Sequence, residues 1–438
     1  MGRGGWFGAA LALGAILFVL QASAQPPGRI YLDLYSPAAR KLPIALPEFK
    51  RLGVADRQPT LALKLAQVIS DDLENSGLFR VFDRASYLED PQRAGLTLRE
   101  QNFPEWANIV GTEALVKGGY LVEGQELRVE ARLFDVVRGT LELGKRYIYP
   151  VGEYRLLAHK FANAVIQRFT GVEGVFDTQI VFVSRRRGNK EIFRMDYDGY
   201  NIVQLTRNGS INLSPSVSPD GARLAYTSYK GGQPQVYLME EKGEWRVPWE
   251  RGAALAGLWS PDGKRLALTL AHGDNFEVYL LEVASRRLRR LTRHWAIDIS
   301  PAWSPDGKQL VFVSSRSGSP QLYILGADGS GPRRITFEGV YNTTPAWSPR
   351  GDKIAFSSRR KRRGNLEVFL INPDGSGLQQ LTSGPGDSQG PAWSPDGRHL
   401  AFTSTRDGDE AVYVMTAGGT RLRRLTEGSE PYWTRGHR

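Results

Sequence analysis

The chain contains no cysteine. Disulfides, a cysteine nucleophile, CxxC redox chemistry and thiolate metal sites are therefore excluded, and so is a lipid anchor, which needs an N-terminal cysteine. Histidine is scarce. His159, His272, His294, His399 and His437 are the whole set, and none are paired at metal-ligand spacing. His159, inside a helical pattern, and His399, at the start of a strand pattern, read as packing or surface residues. No phosphate loop or dinucleotide fingerprint opens a helix. Neither a metal nor a cofactor is expected. Long apolar runs are missing too, apart from residues 6–20, a stretch too short to cross a bilayer comfortably. Arg3 precedes it and Ala22-Ser23-Ala24 follows it, so residues 1–24 read as a cleaved secretory signal with the mature chain starting near Gln25. No integral membrane segment is expected after cleavage.

What the chain does have is length, positive charge and repetition. Its 438 residues allow two or more domains, each with its own core. The net charge of +11 favours anionic partners, and export argues against nucleic acid. The densest basic run, Arg359-Arg360-Lys361-Arg362-Arg363, ends at Gly364 between two strand-like segments. It reads as a solvated hairpin loop, with a contact for acidic polymer or lipid head groups as the sharper alternative.

The block Pro301-Ala302-Trp303-Ser304-Pro305-Asp306-Gly307 recurs almost intact at 391–397, with Arg350 for the aspartate at 345–351, and in degenerate form at 257–263 and 215–221. Trp259, Trp303, Trp347 and Trp393 are 44, 44 and 46 residues apart. Strand material follows each block, so a period in the forties marks a propeller blade, not a helical repeat. Two alternating apolar runs come next, then an Asp-Gly turn and a short strand ending Leu-Thr, which makes four strands per unit. This body occurs six times, beginning near Ile180, Arg223, Arg265, Gln309, Lys353 and His399. The innermost strand is predicted at 215–218, 257–260, 301–304, 345–348 and 391–394, with a sixth copy, Pro431-Tyr432-Trp433-Thr434, at the end of the chain. The first body lacks an innermost strand and the last such strand lacks a body, so the two complete each other and close a six-bladed ring. The second blade is irregular over 241–251, where its fourth strand is hard to place.

Residues 25–170 lack this period and read as an α/β domain with a mixed or antiparallel sheet. Strands are predicted at 29–34, 44–49 and 79–82, and an antiparallel meander at 115–122, 127–134 and 141–149. Asp56 can cap a helix running to about Ser76, with Leu61, Leu65, Val68, Ile69 and Leu73 on one face and Gly77 as its stop. A short helix is predicted at 104–110 and a longer one at 153–169. Residues 171–177 read as a linker and 178–438 as the all-β six-bladed propeller closed by the C-terminal strand.

Catalytic patterns are weak. Gly386-Asp387-Ser388-Gln389-Gly390 matches the G-x-S-x-G nucleophile motif, but that chemistry needs a strand-to-helix elbow, and no helix follows. The tryptophans recur at one position in five of the six blades, Val217 standing there in the other, and read as wedges between neighbouring blades. Asp196-Tyr197-Asp198-Gly199 lacks the remaining ligands of a calcium loop and reads as a blade turn. The remaining candidates are the loops at 208–214, 251–256, 294–300, 339–344, 385–390 and 429–430, which lead into the innermost strands around the channel mouth. Aromatic anchors among polar neighbours there suit a protein interface.

Taken together, these parts resemble the TolB family of periplasmic proteins in the bacterial Tol–Pal envelope system. The N-terminal run Asp71-Asp72-Leu73-Glu74-Asn75-Ser76-Gly77-Leu78-Phe79, Asp83-Arg84 and the stretch at 196–201 carry the resemblance most specifically. It implies that the mouth loops bind the lipoprotein Pal through Asn212, Ala256, His294, Trp295, Ile297, Asp298, Ile299, Tyr341, Asn342, Thr343, Asp387, Ser388, Gln389 and Tyr432. It also implies that the mature N-terminus binds TolA through Arg29, Ile30, Tyr31, Leu32, Asp33 and Leu34. The protein would be a non-enzymatic periplasmic hub supporting outer-membrane integrity and constriction at division. On this reading, Asp298→Arg or Tyr341→Ala weakens Pal binding without unfolding the chain. The alternatives are an exported propeller hydrolase or lyase acting on an anionic glycan, and a glycan or membrane-surface binder. The segment 241–258 and the 359–363 loop depart from the family pattern.

Overall fold

The alternating runs of the N-terminal third pair as a meander, and two amphipathic helices cover it. The computed structural model describes residues 40–53, 58 and 60–435. The expected signal, the strand at 29–34 with its candidate TolA contacts, and the Asp56 cap lie outside them. The elements in order are β1 (Leu42–Ala45), β2 (Lys50–Arg51), α1 (Leu61–Asn75), β3 (Phe79–Val81), β4 (Ala114–Glu123), β5 (Glu126–Asp135), β6 (Thr140–Pro150) and α2 (Tyr154–Thr170). The sheet runs β3-β1-β4-β5-β6, with β2 also on β4. β1 is parallel to β3 and β4, and the β4-β5-β6 meander is antiparallel. α1 buries Leu61, Leu65, Val68, Ile69 and Leu73 as its period demands. Gly77 takes φ +75°, the left-handed turn that ends the helix.

Two predicted elements are shorter or different. The strand expected at 44–49 stops at Ala45, because Pro47 cannot donate to a ladder. The helix expected at 104–110 is a single turn, Phe103–Glu105, which widens over Trp106–Val110 and ends at Gly111.

Six four-stranded sheets follow. The C-terminal strand Ser429–Thr434 pairs with Gln179–Ser184 and completes blade 1, so the ring closes as predicted. The fourth strand of blade 2 is Gly243–Arg246. Each sequence signature has a local cause. In the Ser-Pro-Asp-Gly turn, Ser304 Oγ accepts from Gln309 N at 2.9 Å and donates to Asp306 at 2.6 Å, while Gly307 takes φ +69°. The set is repeated at Ser260/Asp262 and Ser394/Asp396. In the Leu-Thr ending, Thr292 Oγ1 accepts from Val278 N and donates to the buried Glu277, fastening the outer strand to its neighbour. Thr206, Thr336 and Thr382 repeat the bond in their blades. The tryptophans are wedges: Trp303 Nε1 donates to the Leu258 carbonyl at 3.1 Å, Trp259 to Ser216 at 3.2 Å and Trp393 to Ala346 at 3.0 Å, each reaching into the preceding blade.

The α/β domain packs on blades 1 and 6 through one continuous apolar core that includes Phe161, Val165, Phe182 and Val412. Inside this core lies a charged cluster. Asp72 of α1 accepts from Tyr197 Oη and, at 2.7 Å, from His159 Nδ1 of α2. Asp198 pairs with Arg155 and lies 3.4 Å from His159 Nε2. His399 Nε2 donates to the Asn75 carbonyl at 3.1 Å. The Asp-Tyr-Asp-Gly segment is thus both a blade turn and half of the domain interface.

Candidate partner-binding site at the channel mouth

Every innermost strand starts at the same end of the ring, and there it is deformed. The inner strands Asn212–Val217, Asp298–Trp303, Tyr341–Trp347, Ser388–Trp393 and Ser429–Thr434 each contain a register shift. The shift falls on the residue before the proline. Ser214, Ser300, Thr344 and Glu430 hold φ of 50°, 53°, 47° and 52°, and Gly390 holds 63°. A left-handed conformation at a residue with a Cβ costs about 1–2 kcal/mol, and a bulge of this kind re-aims side chains at the rim of a sheet. Blade 3 replaces the pair with Ala256-Gly257, and a Cβ on Gly257 would stand 2.1 Å from the Ala267 carbonyl oxygen.

A repeated prop holds this ring of bulges. Thr227 Oγ1 accepts from Ala256 N at 2.8 Å, Thr269 from Ser300 N at 3.1 Å, Ser357 from Gly390 N at 2.9 Å and Thr403 from Glu430 N at 2.9 Å. In each case the second strand of one blade steadies the mouth residue of the next. Sequence reasoning missed these hydroxyls, although one Thr or Ser recurring midway along an apolar strand is a visible signal. Glu430 also accepts from Ser214 N at 2.6 Å, joining blade 1 to blade 2; its carboxyl is pushed up by burial. Behind the ring lies a cavity of about 660 Å³ lined by Pro301, Trp303, Pro345, Pro391 and Tyr432.

The candidate contact residues divide sharply. Asn212, Asp298, Asn342 and Ser388 were expected in loops. They are instead strand residues and fully or almost fully buried. The bulge breaks the period-2 alternation, which hid the first half of each inner strand. Their side chains are engaged inside the ring. Asn212 donates to Glu191 and Asn342 donates to Gln321, both at 2.8 Å, while Asp298 pairs with Arg316 at 2.8 Å. Ser388 Oγ lies 3.1 Å from Ser404 Oγ and accepts from Arg406, so the serine of the G-x-S-x-G match has no histidine partner. Burial pushes the Asp298 carboxyl up, against the pull of Ser314 and Arg316. An arginine at 298 would therefore face Arg316 inside the blade. The expectation that Asp298→Arg spares the fold is corrected.

Thr343 is buried, Ile299 packs into the core between blades, and Asp387 accepts from Leu366 N at 2.7 Å. His294 is half-buried, with Nδ1 accepting from Ala296 N at 3.0 Å. Tyr432 donates to the Val217 carbonyl at 3.1 Å, and burial pushes its hydroxyl up to about 12. Ala256 and Gln389 are half-buried on the cavity wall. Three of the set face solvent: Trp295 is 80% exposed, Ile297 44% and Tyr341 39%. Phe337 and Val340, which the sequence reading passed over, are exposed on the adjoining connection. Among the described residues no group of three or more His, Cys, Asp or Glu could hold a metal, and no helix is long and apolar enough to cross a membrane.

Comparison with known proteins gives the same architecture. The family described as TolB beta propeller domain matches residues 166–363 and 345–436, and the TolB amino-terminal domain matches 30–141. The Tol-Pal system protein TolB of Desulfosudis oleivorans is 41% identical over 268 residues, 60% of either chain. That of Syntrophotalea carbinolica is 44% identical over 166 residues, 38% of either chain. The matched region thus spans about two fifths to three fifths of these curated relatives. TolB from Acinetobacter baumannii superposes with a TM-score of 0.78 at 24% identity, covering 90% of this chain and 97% of that one, a likeness of fold. With a propeller match over more than half its length and an amino-terminal match before it, the chain belongs to the TolB family.

Proposed function

We propose that this protein is a non-enzymatic, periplasmic binding hub of the Tol–Pal system, which takes the lipoprotein Pal on the channel-mouth face of its propeller. The observation that carries this reading is the exposure of Trp295, Ile297 and Tyr341 beside a rim of propped, left-handed residues. Large apolar side chains left in water around a rigid concavity are anchors in search of pockets. The rim supplies the rigidity, because the neighbouring blade holds the mouth residue at Ser214, Ala256, Ser300, Gly390 and Glu430. Ala256, Gln389 and Tyr432 form the floor onto which a partner side chain descends. Of the buried members of the set, Asn212 and Asn342 tie their blades to the preceding ones beneath it, and Asp298 braces its own blade through Arg316. TolA is taken by residues 29–34 of the mature N-terminus. The two engagements together support outer-membrane integrity and constriction at division.

Calorimetric titration of the mature chain with the soluble domain of Pal, at two salt concentrations, tests the main claim. Saturable one-to-one binding that survives the higher salt, and that weakens in Tyr341→Ala and Trp295→Ala while unfolding is unchanged, is the expected result. Unaltered affinity in both variants would remove Pal from this face.

A further inference from the structure

Blade 5 differs from its siblings at the hairpin joining Ile354–Arg359 to Glu367–Ile371. Five cations follow one another there. Arg360 pairs with Glu338, and Arg359 is half-buried. Lys361, Arg362 and Arg363 are exposed and have no ion pair among the described residues, on a turn closed by Gly364 N to the Lys361 carbonyl at 3.1 Å. The connection from blade 4 lies against this hairpin, with Val340 N donating to the Arg359 carbonyl at 2.9 Å. That connection carries Phe337, 73% exposed, with the Arg334 guanidinium 5.0 Å from its ring. Phe337 and Arg360 line the same cleft of about 220 Å³. A bare aromatic ring and three unpaired cations therefore share one end of one blade.

We infer that this edge of blade 5 is a membrane-surface contact for anionic phospholipid headgroups, separate from the channel mouth. A basic loop alone is a solvated loop, and one exposed ring alone needs no explanation. Side by side they are the two components of interfacial attachment: the ring enters the headgroup region while the cations meet the phosphates. The side chains of Lys361, Arg362 and Arg363 make no hydrogen bond among the described residues, so they present charge and not a shaped socket. That suits a fluid array of phosphates better than the fixed carboxylates of a folded partner. The inference is independent of what the channel mouth binds.

Sedimentation of the mature chain with vesicles of phosphatidylcholine containing 30% phosphatidylglycerol, and with pure phosphatidylcholine vesicles, tests it. Binding to the first and not the second is expected. The triple variant K361A/R362A/R363A should lower partitioning about a hundredfold, each cation near an anionic surface contributing several-fold. Phe337→Ser should lower it about tenfold, for the apolar area that no longer enters the interface. Both changes lie on exposed side chains, and an unaltered circular dichroism spectrum checks that the fold is kept. Absence of binding to the anionic vesicles would overturn the inference, as would binding indifferent to the triple variant. Phe337→Ser without effect, together with equal competition by soluble polyglutamate, would show a site for any polyanion and would also overturn it.

Discussion

Removing the Asp72 carboxylate should unfasten the α/β domain from the propeller. Asp72 is fully buried and receives both Tyr197 Oη and His159 Nδ1. In Asp72→Ala the tyrosine hydroxyl loses its acceptor and the imidazole loses its nearer counter-charge, deep in a shared apolar core. Breaking a buried charged pair from one side costs about 3–5 kcal/mol. Tyr197→Phe keeps the ring packing and removes only one bond to a charged acceptor, about 1.5–3 kcal/mol. The assay is native-state hydrogen exchange read by mass spectrometry. If amides of α1, α2 and the blade 1 turn exchange through opening of the interface, Asp72→Ala should speed them about a hundredfold to a few thousandfold. Tyr197→Phe should speed the same amides about ten- to a hundredfold. Amides of blades 3 and 4, which do not touch the interface, should be unchanged. Acceleration below tenfold in Asp72→Ala, or acceleration spread evenly over all six blades, would refute the idea that this cluster holds the domains together.

The same cluster sets a pH window. Burial alone would depress His159, but Asp72 and Asp198 carry it up to about 10, so its contribution is complete below about pH 6.5 and fades as pH rises through 10. Burial alone would raise Asp198, but His159 and Arg155 hold it down at about 2, so its contribution is complete above pH 4 and fades toward 2. Burial raises Asp72 against the pull of His159, so its own contribution falls as pH rises and moves the optimum toward the acid side. Exchange from α2, corrected for intrinsic rates, should therefore be slowest between about pH 4 and 6.5; a minimum at pH 9 would contradict the assignment. Asp298→Arg should destabilise the propeller by more than 3 kcal/mol, as expected for an unpaired buried charge, while Tyr341→Ala shifts stability by less than about 0.5 kcal/mol; equilibrium denaturation distinguishes the two. Gly257→Ala should cost about 1–3 kcal/mol by overpacking against the Ala267 carbonyl, and a melting temperature equal to that of the unaltered chain would show that blade 3 can give way.

The blade count was legible because its markers are local. Ser304, Asp306 and Gly307 close their own turn, Thr292 bonds within its own blade and Trp303 reaches only one blade back, so each leaves a mark at a fixed spacing. The mouth was misread for the opposite reason. A bulge at Ser300 with positive φ ends the alternation two residues after Asp298, and what remains in the sequence looks like a loop. Asp298 and Asn342 then look like exposed polar contacts, when Asp298 is buried against Arg316 of its own blade and Asn342 against Gln321 of the blade before it. Trp295 and Tyr341 are exposed, as their positions between turn signals suggest, because large apolar residues there have no inner face to occupy. The domain interface could not be read at all. Asp72, His159 and Tyr197 lie on three elements far apart in the chain, and the period of each element reports only which face is inward.

Ring closure also governs how the chain must fold. Tyr432 and Val181 are paired partners about 250 positions apart, so the first blade is finished by the last strand. Until that strand arrives, Gln179–Ser184 presents an open edge beside the surface that receives α1 and α2. Long-range pairing of this kind is slow, because the entropy of closing the loop is lost before any contact rewards it. A chain that has not yet placed that strand would combine an unpaired strand edge with an unfinished docking surface, the pairing of features that favours edge-to-edge association. Assembly of the propeller and maturation of the domain interface are in this way one event, gated by six residues at 429–434.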